Sequence, residues 1–278
     1  MAIQIALLGA AGSMGTRASN ALGKLPEYHL LHVEGNAAGE AKLKQRGLTP
    51  VPLDEALPAA DVVIMAIPDR VIKVAAPQIV AKMKSGAMLM SLDPAAPHAG
   101  RIPARQDISI FVTHPSHPPL FEEQDSVEGR RDFFGSGRAK QCLVSALMQG
   151  PEEDYAQGQQ IAAAMWGPVL RSHRVTVHQM ALLEPALSET VAATCLTVVR
   201  EAMDEAIRRG VPPQAARDFL LGHLNIELAI LFNEIDWQFS DGAKLAIEEA
   251  KKVLFQPDWK KVFEDQHLKH SVQKITGG

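Results

Sequence analysis

Two histidines and a few carboxylates carry most of the chemistry open to this chain. His114 and His117 lie in Val112-Thr113-His114-Pro115-Ser116-His117-Pro118-Pro119, where each proline fixes its own φ and restricts the residue before it. Stiffly held imidazoles suit proton transfer near neutral pH or metal ligation. Glu184 stands among apolar neighbours in Leu182-Leu183-Glu184-Pro185-Ala186-Leu187-Ser188-Glu189, where an unpaired charge is expensive. On a straight α-helix it shares a face with Ser188, while Glu189, five residues on, turns off that face. His223 and Glu227 project together from an otherwise apolar helix. At that spacing they either satisfy one another or converge on a ligand.

A second constellation is made of glycines. Gly9-Ala10-Ala11-Gly12-Ser13-Met14-Gly15 follows the first apolar run and opens a helix-like stretch. Side-chain-free turns let a pyrophosphate reach free N–H groups at a helix start. The spacing is G-x-x-G-x-x-G, with Ala11 in the usual second-glycine place. Gly9, Ala11, Gly12, Ser13, Met14 and Gly15 are therefore the expected dinucleotide cradle. Glu34 closes the next apolar run 19 residues beyond Gly15, where a carboxylate accepts hydrogen bonds from the adenosine ribose and repels a 2′-phosphate, favouring NAD over NADP. The loops at Ile67-Pro68-Asp69 and Leu92-Asp93-Pro94 end further runs, so Pro68 and Asp93 are expected to border the cofactor.

The elements that position these groups follow from periodicity. Ile3–Leu8, Leu30–Val33, Val62–Ile67, Met88–Leu92 and Ile108–Thr113 are short continuous apolar runs, suited to strands buried on both faces. A further short strand is expected near Pro50–Leu53 and a sixth in the main series at Gln141–Ala146. Between them Ser13–Lys24, Ala37–Arg46 and Val71–Met83 have helix length. Beyond Gly150 the pattern becomes helical: Glu152–Met165, His178–Arg209, Gln214–Phe239 and Asp241–Leu254, with Pro212-Pro213 as a helix start and Asp241 as an N-cap. The expected fold is α/β: an N-terminal Rossmann doubly wound parallel sheet over residues 1–150 and an all-α substrate-binding and dimerisation domain over 151–278. His178–Arg209 would run about 48 Å if continuous. That exceeds a small domain, so a homodimer is expected.

The 278 residues carry 28 basic and 32 acidic side chains, a net charge of -4, and 46% apolar residues. That is the usage of a soluble globular protein and leaves no nucleic-acid footprint. No uninterrupted apolar stretch reaches the roughly 18 residues of a membrane span, and the start shows no signal-peptide pattern. A cytoplasmic enzyme is the expectation. Cys142 and Cys195 stand alone in apolar surroundings, without disulfide or metal-finger spacing.

The glycine turn, the Pro68-Asp69 loop and the long C-terminal helices together resemble the superfamily of 6-phosphogluconate dehydrogenase, β-hydroxyacid dehydrogenases and ketol-acid reductoisomerases. The segments Thr113–Phe121, Leu183–Glu189 and Leu221–Asn225 are similar, more narrowly, to the D-apionate oxidoisomerases. No lysine lies in Val175–Arg200, where β-hydroxyacid dehydrogenases carry a catalytic one, so the resemblance turns away from that subgroup. It implies NAD-dependent oxidation of a branched sugar acid coupled to a rearrangement, giving 3-oxo-isoapionate and NADH, in a dimer with interlocked C-terminal helices. The expected mechanism has a divalent cation of open identity held by His114 and Glu184, one from each domain, with His117 or His223 relaying the proton. A metal-free NAD-dependent dehydrogenase of another hydroxy acid, with His114 as base, is the competing enzyme reading. A non-catalytic NAD-binding protein is the alternative from another class.

Overall fold

The computed structural model describes residues 2–277. In chain order the elements are β1 (Ile3–Leu8), α1 (Ser13–Leu22), β2 (Tyr28–Val33), α2 (Ala37–Gln45), α3 (Leu53–Ala59), β3 (Val62–Met65), α4 (Asp69–Lys82), β4 (Met88–Ser91), α5 (Ala95–His98) and β5 (Ser109–Pro115). There follow α6 (Val127–Arg130), β6 (Gln141–Gln149), α7 (Asp154–Trp166), β7 (Val169–Arg174) and α8 (Val177–Ala181). A π-helical stretch Leu182–Ala193 leads into α9 (Thr194–Arg208), α10 (Pro213–Leu231), α11 (Asp241–Leu254), a 3₁₀ turn Trp259–Phe263 and α12 (Asp265–Ile275).

The strands form one sheet in the order β2-β1-β3-β4-β5-β6-β7. β1 to β5 pair in parallel, β6 runs antiparallel to β5, and β7 is parallel to β6. Alternate residues of each inner strand feed opposite cores, as a two-residue period requires. Ile5 and Leu7 join Leu22, Ile161 and Trp166 under α1 and α7. Ala6 and Leu8 join Leu57, Ile72 and Ile79 under α3 and α4. Both faces are covered, which is why these strands read as unbroken apolar runs.

Three expectations change. The short strand near Pro50–Leu53 is a single bridge, His32 to Pro50, because Pro50 and Pro52 have no N–H for a ladder; α3 begins at Leu53 instead. Val169–Arg174 is a strand, missed because its exposed Arg, Ser and His side chains mask the signal. It extends the sheet, so α7 and β7 belong with the Rossmann elements. The two compact units are Met1–Glu184 with Lys269–Gly278, and Pro185–Leu268, not 1–150 and 151–278.

The long helix expected over His178–Arg209 runs over Val177–Arg208 and is not α-helical throughout. Pro185 cannot donate to the residue four back and its ring crowds that carbonyl; i→i+5 bonding is one way a helix absorbs such a residue. In that wider geometry residues five apart turn much less far from one another than in an α-helix, so the α-helical reason for separating Glu189 from Glu184 weakens. By length and composition Val177–Arg208 is apolar enough to cross a membrane, although no uninterrupted apolar run reaches that length. In the second unit, α9, α10 and α11 bury none of their residues. α10 starts at Pro213, while Ser240 rather than Asp241 caps α11, its side chain accepting from Ala243 N.

Candidate active site

The glycine turn lies at the carboxyl end of β1. Gly9 has φ +77°, and a Cβ there would stand 2.4 Å from the Ala66 carbonyl oxygen; at Gly15 it would stand 2.1 Å from the Gly9 oxygen. Neither position admits a side chain, so the backbone packs tightly where a pyrophosphate would approach. Gly12 occupies the N-cap of α1 and supplies no side-chain acceptor, leaving the Ser13 and Met14 end of the helix to an outside anion. Ala11 N donates to Glu34 Oε1 at 2.5 Å. The acid that would read the ribose is thus anchored on the turn itself. Gly39 makes room for it, since a Cβ there would meet Glu34 Oε2 at 2.3 Å. These residues fit an adenine dinucleotide. Pro68 follows β3 and forms the N-cap of α4.

The second half of the site is built by register. β4 pairs with β5 so that Ser91 faces Val112, and two residues further along both strands Asp93 comes beside His114. His114 Nδ1 lies 2.8 Å from the Leu92 carbonyl oxygen. A carbonyl can only accept, so the proton sits on Nδ1 and the Nε2 lone pair is free. Nε2 lies 3.5 Å from Glu184 Oε2. Asp93 Oδ1 accepts from Ala95 N at 2.7 Å, and Oδ2 lies 3.9 Å from His114 Nδ1. Beneath them Thr113 is fully buried, receiving bonds from Trp166 Nε1 and Ser145 Oγ, which locks the strand.

Glu184 reaches this place through α8. Thr176 and Gln179 form a reciprocal capping box at its start, and Met180 packs on Val112 and Ala146 of the sheet. His114 and Glu184 therefore lie in the same compact unit, not in two domains as expected. Ligand atoms of Asp93, His114 and Glu184 lie within 4.8 Å of one another, each partly exposed. An ion about 2.0–2.4 Å from each donor allows separations up to about 4.8 Å. The mixed nitrogen and carboxylate set fits a divalent cation. Asp93, expected beside the cofactor, stands in this cluster. Only the register across β4 and β5 reveals it.

His117 follows in the loop, with φ +58°, an uncommon region for a residue other than glycine. Its Nδ1 donates to the Phe134 carbonyl oxygen at 3.1 Å, and its ring lies edge-on 6.5 Å from that of His114. His223 belongs to the second unit. It stacks on Phe219 with centroids 4.0 Å apart and bonds the Phe219 carbonyl oxygen at 2.9 Å. Its ring partner is thus that carbonyl rather than Glu227, and both side chains line a groove of about 580 Å³ between α9 and α10.

Two family models match the chain. The family described as acetohydroxy acid isomeroreductase, NADPH-binding domain, matches residues 3–165, and phosphogluconate dehydrogenase (decarboxylating) C-term matches residues 122–276. A D-apionate oxidoisomerase of Rhizobium rhizogenes is 52% identical, covering 98% of this chain and 99% of that protein. One from Cupriavidus necator is 51% identical over the same shares. Among solved structures, a semialdehyde dehydrogenase NAD-binding protein from Cupriavidus necator, in complex with calcium and NAD, superposes with a TM-score of 0.96 at 51% identity, covering 99% of this chain and all of that one. An NADH-preferring ketol-acid reductoisomerase from an uncultured archean shares the fold alone, with a TM-score of 0.68 at 17% identity over 99% of this chain and 82% of that one. The chain belongs to the D-apionate oxidoisomerase family.

Proposed function

We propose that the chain is an NAD-dependent oxidoreductase that oxidises D-apionate and rearranges its branched skeleton to 3-oxo-isoapionate, at a divalent cation held by Asp93, His114 and Glu184. The observation that carries this reading is the meeting of those three side chains at the strand edge that also bears the glycine turn. Relatives about half identical over the full length act, by name, on D-apionate.

The substrate chemistry balances as two parts. Oxidising the secondary alcohol beside the carboxylate releases one hydride and one proton. The hydroxymethyl group then migrates with its bonding pair from the tertiary carbinol carbon to the new carbonyl carbon, whose C=O π pair moves onto oxygen. The tertiary hydroxyl gives up its proton and becomes the ketone, and the old carbonyl oxygen takes up a proton to become the new tertiary hydroxyl. Bound at the glycine turn, NAD would accept the hydride, and a cation held by Asp93, His114 and Glu184 would supply Lewis acidity. Protein groups do the rest. Leu92 holds His114 in one tautomer so that Nε2 faces the cluster. His117, its Nδ1 engaged by Phe134, keeps Nε2 free to take the released proton. Glu34 holds the ribose and turns away a 2′-phosphate.

The direct approach of His114 Nε2 to Glu184 Oε2 also favours a second reading, a metal-free dehydrogenase with His114 as base. Chelation separates the two. Purified enzyme treated with EDTA and passed over a desalting column should lose NADH formation from D-apionate and NAD, and regain it on adding a divalent cation. Full activity after chelation would leave the metal-free reading. A homodimer in the cytoplasm completes the proposal: Leu196, Phe219, Leu221 and Leu231 are exposed on helices without a fully buried residue, and a second copy would cover them.

A further inference from the structure

A cavity of about 1050 Å³ opens between α1, the first part of β2, the 136–138 segment and the end of α7. Four of its lining side chains are cationic, Arg17, Lys24, Arg46 and Arg138, with the imidazoles of His29 and His32 beside them, and no Asp or Glu lines it. In a chain of net charge -4 that is a local reversal of sign. The Arg46 guanidinium spends its donors on neutral acceptors, the Ala10 carbonyl, Thr16, Ser19 and Asn20, at 3.1 to 3.3 Å. Lys24 and Arg138 pair with no carboxylate among the described residues.

Arg17 carries a second, independent signal. It is only 7% exposed, yet its Nη2 is buried without a hydrogen-bond partner. Its Nη1 donates to the Phe134 carbonyl oxygen at 3.3 Å, and its guanidinium lies 4.7 Å over the Trp166 ring. Burial pulls its pKa down to about 10, against the opposing pull of Asp132. The His32 imidazole feels the same field: burial, then Arg46 and His29, push its pKa down. Clustered cations with no lining carboxylate cost free energy that an anion would recover, and the Arg17 guanidinium among them has a donor left unmet within the chain. Leu25, Leu48, Met165 and Pro168 line the same walls, so the occupant has an apolar body. The volume lies just above the roughly 300–1,000 Å³ of small-ligand sites.

We propose that this cavity binds a small organic anion of the organic phosphate class, at a site separate from the dinucleotide cradle. The cradle uses Gly9 to Gly15, whereas the cavity takes α1 from Arg17 onward and the start of β2. Arg46 lines the cavity and also bonds Ala10 in the glycine turn.

Phenyl phosphate, with phenol as its uncharged counterpart, tests the proposal by calorimetry on full-length enzyme saturated with NAD. The expected result is one phenyl phosphate per chain, no binding of phenol, and at least tenfold weaker phosphate binding in K24E/R138E. Both altered side chains are exposed and lie outside the proposed catalytic cluster. Should the double reversal lower the thermal midpoint, K24Q/R138Q is read in its place. Absence of saturable phenyl phosphate binding, equal binding of phenol, or unchanged affinity in the variant would each overturn the proposal. So would a change in solution mass caused by K24E/R138E, which would assign the basic cavity to a contact between copies of the chain.

Discussion

His114 Nε2 lies 3.5 Å from Glu184 Oε2 while Nδ1 of the same ring is engaged by the Leu92 carbonyl oxygen. One nitrogen is fixed by the backbone and the other is presented to a carboxylate. H114A and E184Q should therefore each lower turnover by about 10²- to 10⁴-fold. NAD affinity, measured by fluorescence quenching, should stay within about twofold. Equal losses in NAD binding would mean that these residues support the cradle and not the chemistry.

Asp93 has two separable jobs. Oδ1 caps the chain at Ala95, while the carboxylate charge faces the cluster. D93N keeps an oxygen for the cap and removes the charge. Cation affinity should fall about 10- to 100-fold with little change in the thermal midpoint. Titration of the chelated enzyme with manganese, followed by electron paramagnetic resonance, reads this directly.

On the cofactor side, Gly39 is a space reserved for Glu34. In G39A the new methyl would displace the Glu34 carboxylate from Ala11 N, weakening NAD binding about tenfold and leaving kcat nearly unchanged. E34Q should narrow the preference for NAD over NADP, because it removes the charge that repels the 2′-phosphate. If kinetics with both cofactors show an unaltered ratio in E34Q, the ribose-reading role of Glu34 is wrong.

The 132–139 segment, whose Phe134 carbonyl holds His117, is clamped by Asp132. Burial alone would raise the pKa of this carboxyl. Hydrogen bonds from the backbone N–H of Ser136, Arg138 and Ala139, and from the Ser136 hydroxyl, outweigh it and hold the pKa below the usual range. A depressed native pKa stabilises the fold above the unfolded value of about 3.9 and loses that effect as pH falls through the native one. Wild type should thus lose thermal stability below about pH 4 more steeply than D132N. Parallel melting curves for the two between pH 6 and 3 would contradict the clamp.

How much of this the residues announce depends on sequence distance. The glycine turn, α1 and Glu34 are legible because a strand, a tight turn and an acid are specified within 34 residues. His114 is legible from its loop at a strand end. Asp93 is not, since its meeting with His114 depends on the β4–β5 register, and Glu184 arrives only through the packing of Met180 on Val112. The π-helical stretch has one local sign, Pro185, which equally permits a helix start. β7 and the two-unit division were hidden because Val169–Arg174 exposes charged side chains at the sheet edge. The basic cavity is assembled from positions 17, 46 and 138, with no local pattern at all.

The most direct test follows D-apionate by carbon NMR and absorbance together, with stoichiometric NAD and the reconstituted enzyme. One NADH should appear per sugar acid consumed, with the hydroxymethyl carbon moved to the neighbouring centre and a ketone at its former position. NADH formation with the carbon skeleton unmoved, or no NADH at all, would contradict a site that both oxidises and rearranges.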